Sequence, residues 1–200
     1  MNTTVSHTEL RYDAGIGPLQ TLTGVAGTMP VFPPVARHEV LEGFPLRDVV
    51  NDTRSRPFCG PTAVASIVGQ PVSFVRDAFR LVRHGSGWID RDRAPAIKGT
   101  WHREVEAALR LFGYFGRWRT IDGKPTLAAF LEQRQGNLRT HPCVVGVTRH
   151  WVAVSGWQFC DTMSKGEVIE ADEARGRRAR VDSVFVITGR VPPSHFPRKD

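Results

Sequence analysis
Cysteine is scarce in this chain. Its 200 residues hold three, Cys59, Cys143 and Cys160, widely spaced and without a Cys-x-x-Cys pair. Such a set argues against a disulfide framework and a cysteine zinc site, and it fits a reducing compartment in which a thiol enzyme stays active. Neither His84 nor His102 has a partner at ligand spacing, so no metal is expected, and no cofactor either. No apolar run approaches the length needed to cross a bilayer, and no basic segment followed by a hydrophobic stretch opens the chain. A soluble protein without an export signal or a membrane partner is the expectation.

Acidic residues are the minority charge, 20 against 27 lysines and arginines, for a formal net charge of +7. The excess is dispersed, and its densest patch, Arg175-Gly176-Arg177-Arg178-Ala179-Arg180, lacks the interleaved aromatics on which bases stack. It reads as a solvated loop, and a nucleic-acid partner is not expected.

A hydrophobic content of 40% over this length suits one compact domain with appendages. Residues 1–50, with Gly15, Gly17, Gly24 and Gly27 followed by Pro30, Pro33 and Pro34, read as an extended arm, available to a protein partner or to the chain's own cleft. Residues 51–190 form the domain and 191–200 a polar tail. Within the domain, Ser73 is placed as the N-cap of a helix to about Arg83, and Thr100 as the cap of a helix over Trp101 to Phe112. The segment from His84 to Gly99 reads as a long loop whose Trp88 and Ile89 either line a groove or anchor it to the core. A strand over Arg117–Ile121 and a helix capped by Thr126 follow. Strands over Cys143–Thr148, His150–Trp157, Val168–Glu170 and Ser183–Thr188 would complete an α+β fold as a meander.

The chemistry concentrates at Phe58-Cys59-Gly60-Pro61-Thr62-Ala63-Val64-Ala65-Ser66-Ile67-Val68-Gly69. Gly60 and Pro61 suit the first helical positions and Val64, Ile67 and Val68 recur at helical spacing, so Cys59 stands at a helix N-terminus. There the unpaired backbone N–H groups and the helix dipole favour a thiolate over a thiol. Far downstream, His150 opens the apolar run Trp151-Val152-Ala153-Val154, and Asp161 follows just past that strand. Taken singly, a cysteine is commonly a small buried hydrophobe, a histidine a hydrogen-bonding edge residue, and an aspartate a turn former. Together, in that chain order, they make a nucleophile, a base and an orienter.

These motifs resemble the papain-like cysteine peptidases, and within them the bacteriocin-processing peptidase domains and related small phage and plasmid proteins. Cys59-Gly60-Pro61-Thr62-Ala63, His150-Trp151-Val152-Ala153-Val154 and Asp161 carry the resemblance. The segment Thr126-Leu127-Ala128-Ala129-Phe130-Leu131 is similar to a helix of the phage-type members. The resemblance covers about residues 50 to 190. It implies a helical half carrying Cys59, an antiparallel sheet carrying His150, and a groove between them. It also implies cleavage of an amide or isopeptide bond in a peptide or protein substrate through a thioester, with Asp161 orienting the imidazole. The family places an amide side chain shortly before the nucleophile as an oxyanion donor. Here the position six before Cys59 is Thr53, and Asn51, a little further back, is the candidate. A location in a bacterial cytoplasm or a phage virion goes with the resemblance, as does an alternative role: a catalytically silent relative serving in assembly.

Overall fold
A computed structural model of the protein describes residues 43–191. Most of the expected N-terminal arm, and all of the tail beyond Val191, lie outside the described residues. Residues 43–50, within that expected arm, are tied to the domain: Leu46 is buried, and its N–H donates to Gln158 Oε1 at 2.7 Å. Arg47 N–H donates to the Ser66 carbonyl at 2.9 Å, and Ser66 Oγ donates back to the Arg47 carbonyl at 2.9 Å.

The helical part comes first. Helix α1 (Cys59–Val68) is buried along its length from Gly60 onward, as its run of small and β-branched apolar residues dictates. Gly69, at φ 68°, ends it in the left-handed conformation that glycine adopts without strain. Helix α2 (Val72–His84) starts one residue before the expected cap, Ser73. Its N-terminus is instead served from outside, where Asp52 accepts the Ser73 N–H at 2.9 Å and the Ser73 hydroxyl at 2.5 Å. Thr100 likewise does not cap helix α3 (His102–Leu111): Trp101 holds that place, and its N–H donates to Glu104 Oε2 at 2.8 Å. In the loop between α2 and α3, Trp88 lies under the Arg80 guanidinium at 5.3 Å, which anchors the loop, while Ile89 is exposed.

The sheet follows, antiparallel throughout, from strands β1 (Tyr114–Thr120), β2 (Cys143–Val147), β3 (His150–Ser155), β4 (Gln158–Cys160), β5 (Ile169–Glu170) and β6 (Val181–Arg190). Between β1 and β2 lie helices α4 (Leu127–Gln133), capped by Thr126 as expected, and the short α5 (Asn137–Thr140). The strand order is β1-β6-β2-β3-β4-β5. The expected meander is therefore only partial: β2 to β5 follow in sequence, but β6 returns to pair between β1 and β2. The run His150–Trp157 is also not one strand. Gly156, at φ 55°, turns the chain after Ser155 and starts β4. One sheet face packs Cys143, Val145, Val152 and Val154 against Leu127, Phe130 and Leu131, and α1 packs on β3.

The architecture is thus an N-terminal helical region carrying Cys59 and a C-terminal antiparallel sheet carrying His150, the bipartite α+β arrangement expected from the sequence.

Candidate active site
Cys59 is the first residue of α1 and is partly buried. Phe58 precedes it in an extended conformation and no side chain caps the helix. First-turn N–H groups have no intrahelical acceptor, so at an uncapped N-terminus they are available to the sulfur and to whatever is bound there. The Gly60 N–H is among the groups that favour a Cys59 thiolate. Glycine is required at position 60 by proximity, because a Cβ there would stand 3.0 Å from Thr100 Cβ and closer still to its hydroxyl.

His150 opens β3 opposite Val147, across a two-residue turn in which Arg149 takes φ 62°. Strand β4 pairs with β3 only over Ala153–Ser155. The outer edge of β3 is therefore open at its start, and there the Trp151 N–H favours the Cys59 thiolate. The His150 ring reaches the same sulfur. Its Nε2 bonds Asp161 Oδ2 at 3.0 Å, which leaves Nδ1 for the sulfur.

Asp161 directly follows β4 and is only 1% exposed. Its second oxygen, Oδ1, accepts the N–H groups of Met163 and Ser164, each at 2.8 Å. The chain turns around its own carboxylate, which fixes Oδ2 toward the imidazole. Cys59, His150 and Asp161 are thus brought together, His150 hydrogen-bonded to Asp161 and acting electrostatically on the Cys59 sulfur.

The charges follow from this arrangement. Burial penalises the Cys59 thiolate, but hydrogen bonds from His150 and the Trp151 N–H, the His150 charge and the Gly60 N–H outweigh it, so the thiol titrates below its ordinary value of 9.0. Burial likewise works against a charged His150, yet Asp161 and Cys59 together raise the imidazole to about 9. The two shifts are opposite in direction and share a cause, as a thiolate and imidazolium in contact require. The remaining cysteines contrast with this. Burial pushes Cys143 up to about 12 and Cys160 up to about 11, which leaves both as inert thiols.

No family model and no curated protein matches the chain. Among solved structures it is similar to a double glycine motif protease from an AMS/PCAT transporter, solved with its leader peptide. Identity is 17% and the TM-score 0.45, over 77% of this chain and 99% of that one.

Asn51 lies apart from the line of three in contacts and in exposure. It occupies an exposed loop where its Oδ1 accepts from the Thr53 N–H at 3.2 Å and the Thr53 hydroxyl at 2.8 Å, and its Nδ2 donates to the Ser55 carbonyl at 3.4 Å. Sequence reasoning missed the cluster behind His150. His102 packs edge-on against Trp118 at 4.5 Å and Trp151 at 4.9 Å, and its Nε2 meets Ser183 Oγ at 2.8 Å. These residues are far apart in the chain, and Gly146, paired with both Trp151 and Ser183, is the one local sign that bulky groups meet over β2. An open depression of about 370 Å³ is lined by Trp101, His102 and Arg103. Among the described residues, no group of three or more His, Cys, Asp or Glu side chains could hold a metal ion, and no helix is long and apolar enough to cross a membrane.

Proposed function
We propose that the protein is a thiol hydrolase of the cysteine-peptidase type, cleaving an amide or isopeptide bond through Cys59, His150 and Asp161. What supports this reading is the His150 ring bonded to the buried Asp161 carboxylate, together with a Cys59 thiolate that His150 favours. In the resting state the thiol proton resides on the imidazole. The sulfur attacks the substrate carbonyl, forming a C–S bond and an oxyanion. His150 then gives its proton to the amine as the C–N bond breaks, which leaves a thioester. Water, deprotonated by the now neutral His150, attacks the thioester and releases the acid, and Cys59 returns as thiolate. Asp161 holds the ring in the tautomer and orientation that both steps need.

Two donors are proposed for the oxyanion. The Cys59 N–H lies in the first turn of α1, where no intrahelical acceptor exists. The Asn51 amide is the second, and it would have to leave the Ser55 carbonyl to serve.

The test is the rate at which Cys59 is alkylated by iodoacetamide from pH 4 to 9, in wild type and in His150→Ala, with each cysteine scored separately by mass spectrometry. Wild-type Cys59 is expected to react well below the pH of a free thiol and His150→Ala to lose that advantage. Identical profiles for the two proteins would sink the proposal and favour a structural role for the fold.

A further inference from the structure
We infer that Thr100 and Trp151 form a strap that holds the Cys59 helix and the His150 strand in register, so that both act as positioning residues for the thiolate. The inference rests on the thiol chemistry proposed above. It starts from a geometric demand: sulfur and imidazole sit on elements from different parts of the chain, and their hydrogen bond survives only if α1 and β3 are fixed to each other within a few tenths of an ångström.

Thr100 is placed to do this. Glu104 takes the Trp101 N–H that a capping arrangement must satisfy, which frees Thr100 to turn inward. Its hydroxyl is buried, has no hydrogen-bond partner among the described residues, and presses on Gly60, the residue after Cys59. Leaving a hydroxyl buried and unpaired is unfavourable, so the contact with Gly60 is one that packing must enforce. The carbonyl of the same residue accepts Trp151 Nε1–H at 3.1 Å, and Trp151 is the residue after His150. One residue thereby touches the immediate neighbours of both reacting groups.

The Trp151 ring is held on its other sides as well. Trp118 packs on it at 5.7 Å and His102 at 4.9 Å, and Ser183 fixes His102 in turn. Holding the ring holds the backbone segment that carries it, whose N–H is among the groups that favour the Cys59 thiolate. Displacing Thr100, or releasing the indole from its carbonyl, shifts the sulfur's donor and its base together.

The experiment uses the full chain and the iodoacetamide profile of Cys59 in wild type, His150→Ala, Trp151→Phe, Thr100→Gly and Thr100→Ser, with circular dichroism and unfolding midpoints recorded for each. Trp151→Phe keeps an aromatic ring against His102 but removes the indole N–H, and Thr100→Ser keeps the hydroxyl against Gly60. Trp151→Phe and Thr100→Gly are expected to lower the rate by about threefold to tenfold on the acid side of the wild-type profile, where the thiolate population limits the reaction. At alkaline pH, as the thiolate forms, the Trp151→Phe and Thr100→Gly rates should converge on wild type, and Thr100→Ser should follow wild type throughout. Should Thr100→Gly fail to fold, Trp151→Phe decides alone. If Trp151→Phe overlays wild type while His150→Ala departs from it, the strap is overturned and the thiol chemistry stands. If wild type and His150→Ala coincide, both fall together.

Discussion

At the scale of single residues the pair Cys59 and His150 makes a prediction about protons. His150 is raised from 6.5 to about 9, so by itself it contributes stability that is fully present below 6.5 and lost as pH rises through 9. Cys59 is lowered from 9.0, so its contribution is fully present above 9.0 and lost as pH falls through its native value. Where the native thiol is ionised and the imidazole still charged, the two slopes oppose each other: the native pair holds one proton, on the imidazole, and the unfolded chain holds one, on the thiol. Below 6.5 the unfolded chain takes up a second proton while the native pair keeps one, and the pair's contribution declines by about 1.4 kcal/mol per pH unit for as long as the native thiolate persists. The stability difference between wild type and His150→Ala, measured by urea titration at a series of pH values, should therefore vary little toward neutral pH and fall in acid. A difference that instead rises in acid would contradict the charge state assigned to the pair.

The sequence made these residues legible because their chemistry is local. Cys59 announces itself through Gly60 and Pro61, and His150 and Asp161 through their places at a strand start and a strand end. Thr100 was not legible in the same way. A threonine before a helix is ordinarily a cap, and only the three-dimensional competition from Glu104 turns it toward Gly60.

Among the elements, the junction of α4, α5 and the turn between β3 and β4 depends on one buried cation. Arg134 is only 4% exposed, and its guanidinium donates to the carbonyls of Leu131, Leu138 and Gly156. Burial pushes its pKa down to about 10, which still leaves it charged at neutral pH. Arg134→Met would keep much of the packing and orphan three carbonyls, with an expected loss of about 3 kcal/mol in urea unfolding. A loss below about 1 kcal/mol would mean that water satisfies those carbonyls instead. Arg134 stands just past the end of the helix begun at Thr126, where nothing local signals its burial. Helix and strand positions followed hydrophobic periodicity well, whereas the break at Gly156 and the insertion of β6 did not. An apolar run through Ser155, Gly156 and Trp157 looks continuous until the left-handed glycine is known, and strand order is a long-range outcome that no local pattern encodes.

Over the whole molecule, the three thiols report on different depths of the structure. Cys143 lies in β2, between β3 and β6, and Cys160 closes β4; both are fully buried. Access to either requires opening the sheet that also carries His150. Intact-mass spectra of protein alkylated across a urea gradient should therefore show one adduct in the native state and three after unfolding, with no substantial population of two. A persistent doubly modified species would show that β4 opens separately from β2.

The shortness of β4 has a consequence of its own. Extending the pairing of Ala153 with Cys160 by two residues would set Thr162 opposite Trp151. The chain instead turns at Asp161, around its carboxylate, and that rung is never made. The amide left over serves the sulfur. A longer β4 would make a more complete sheet and leave the Cys59 thiolate less favoured, so under the proposed chemistry reactivity is stored as an omitted hydrogen bond, and selection for stability alone would tend to close it.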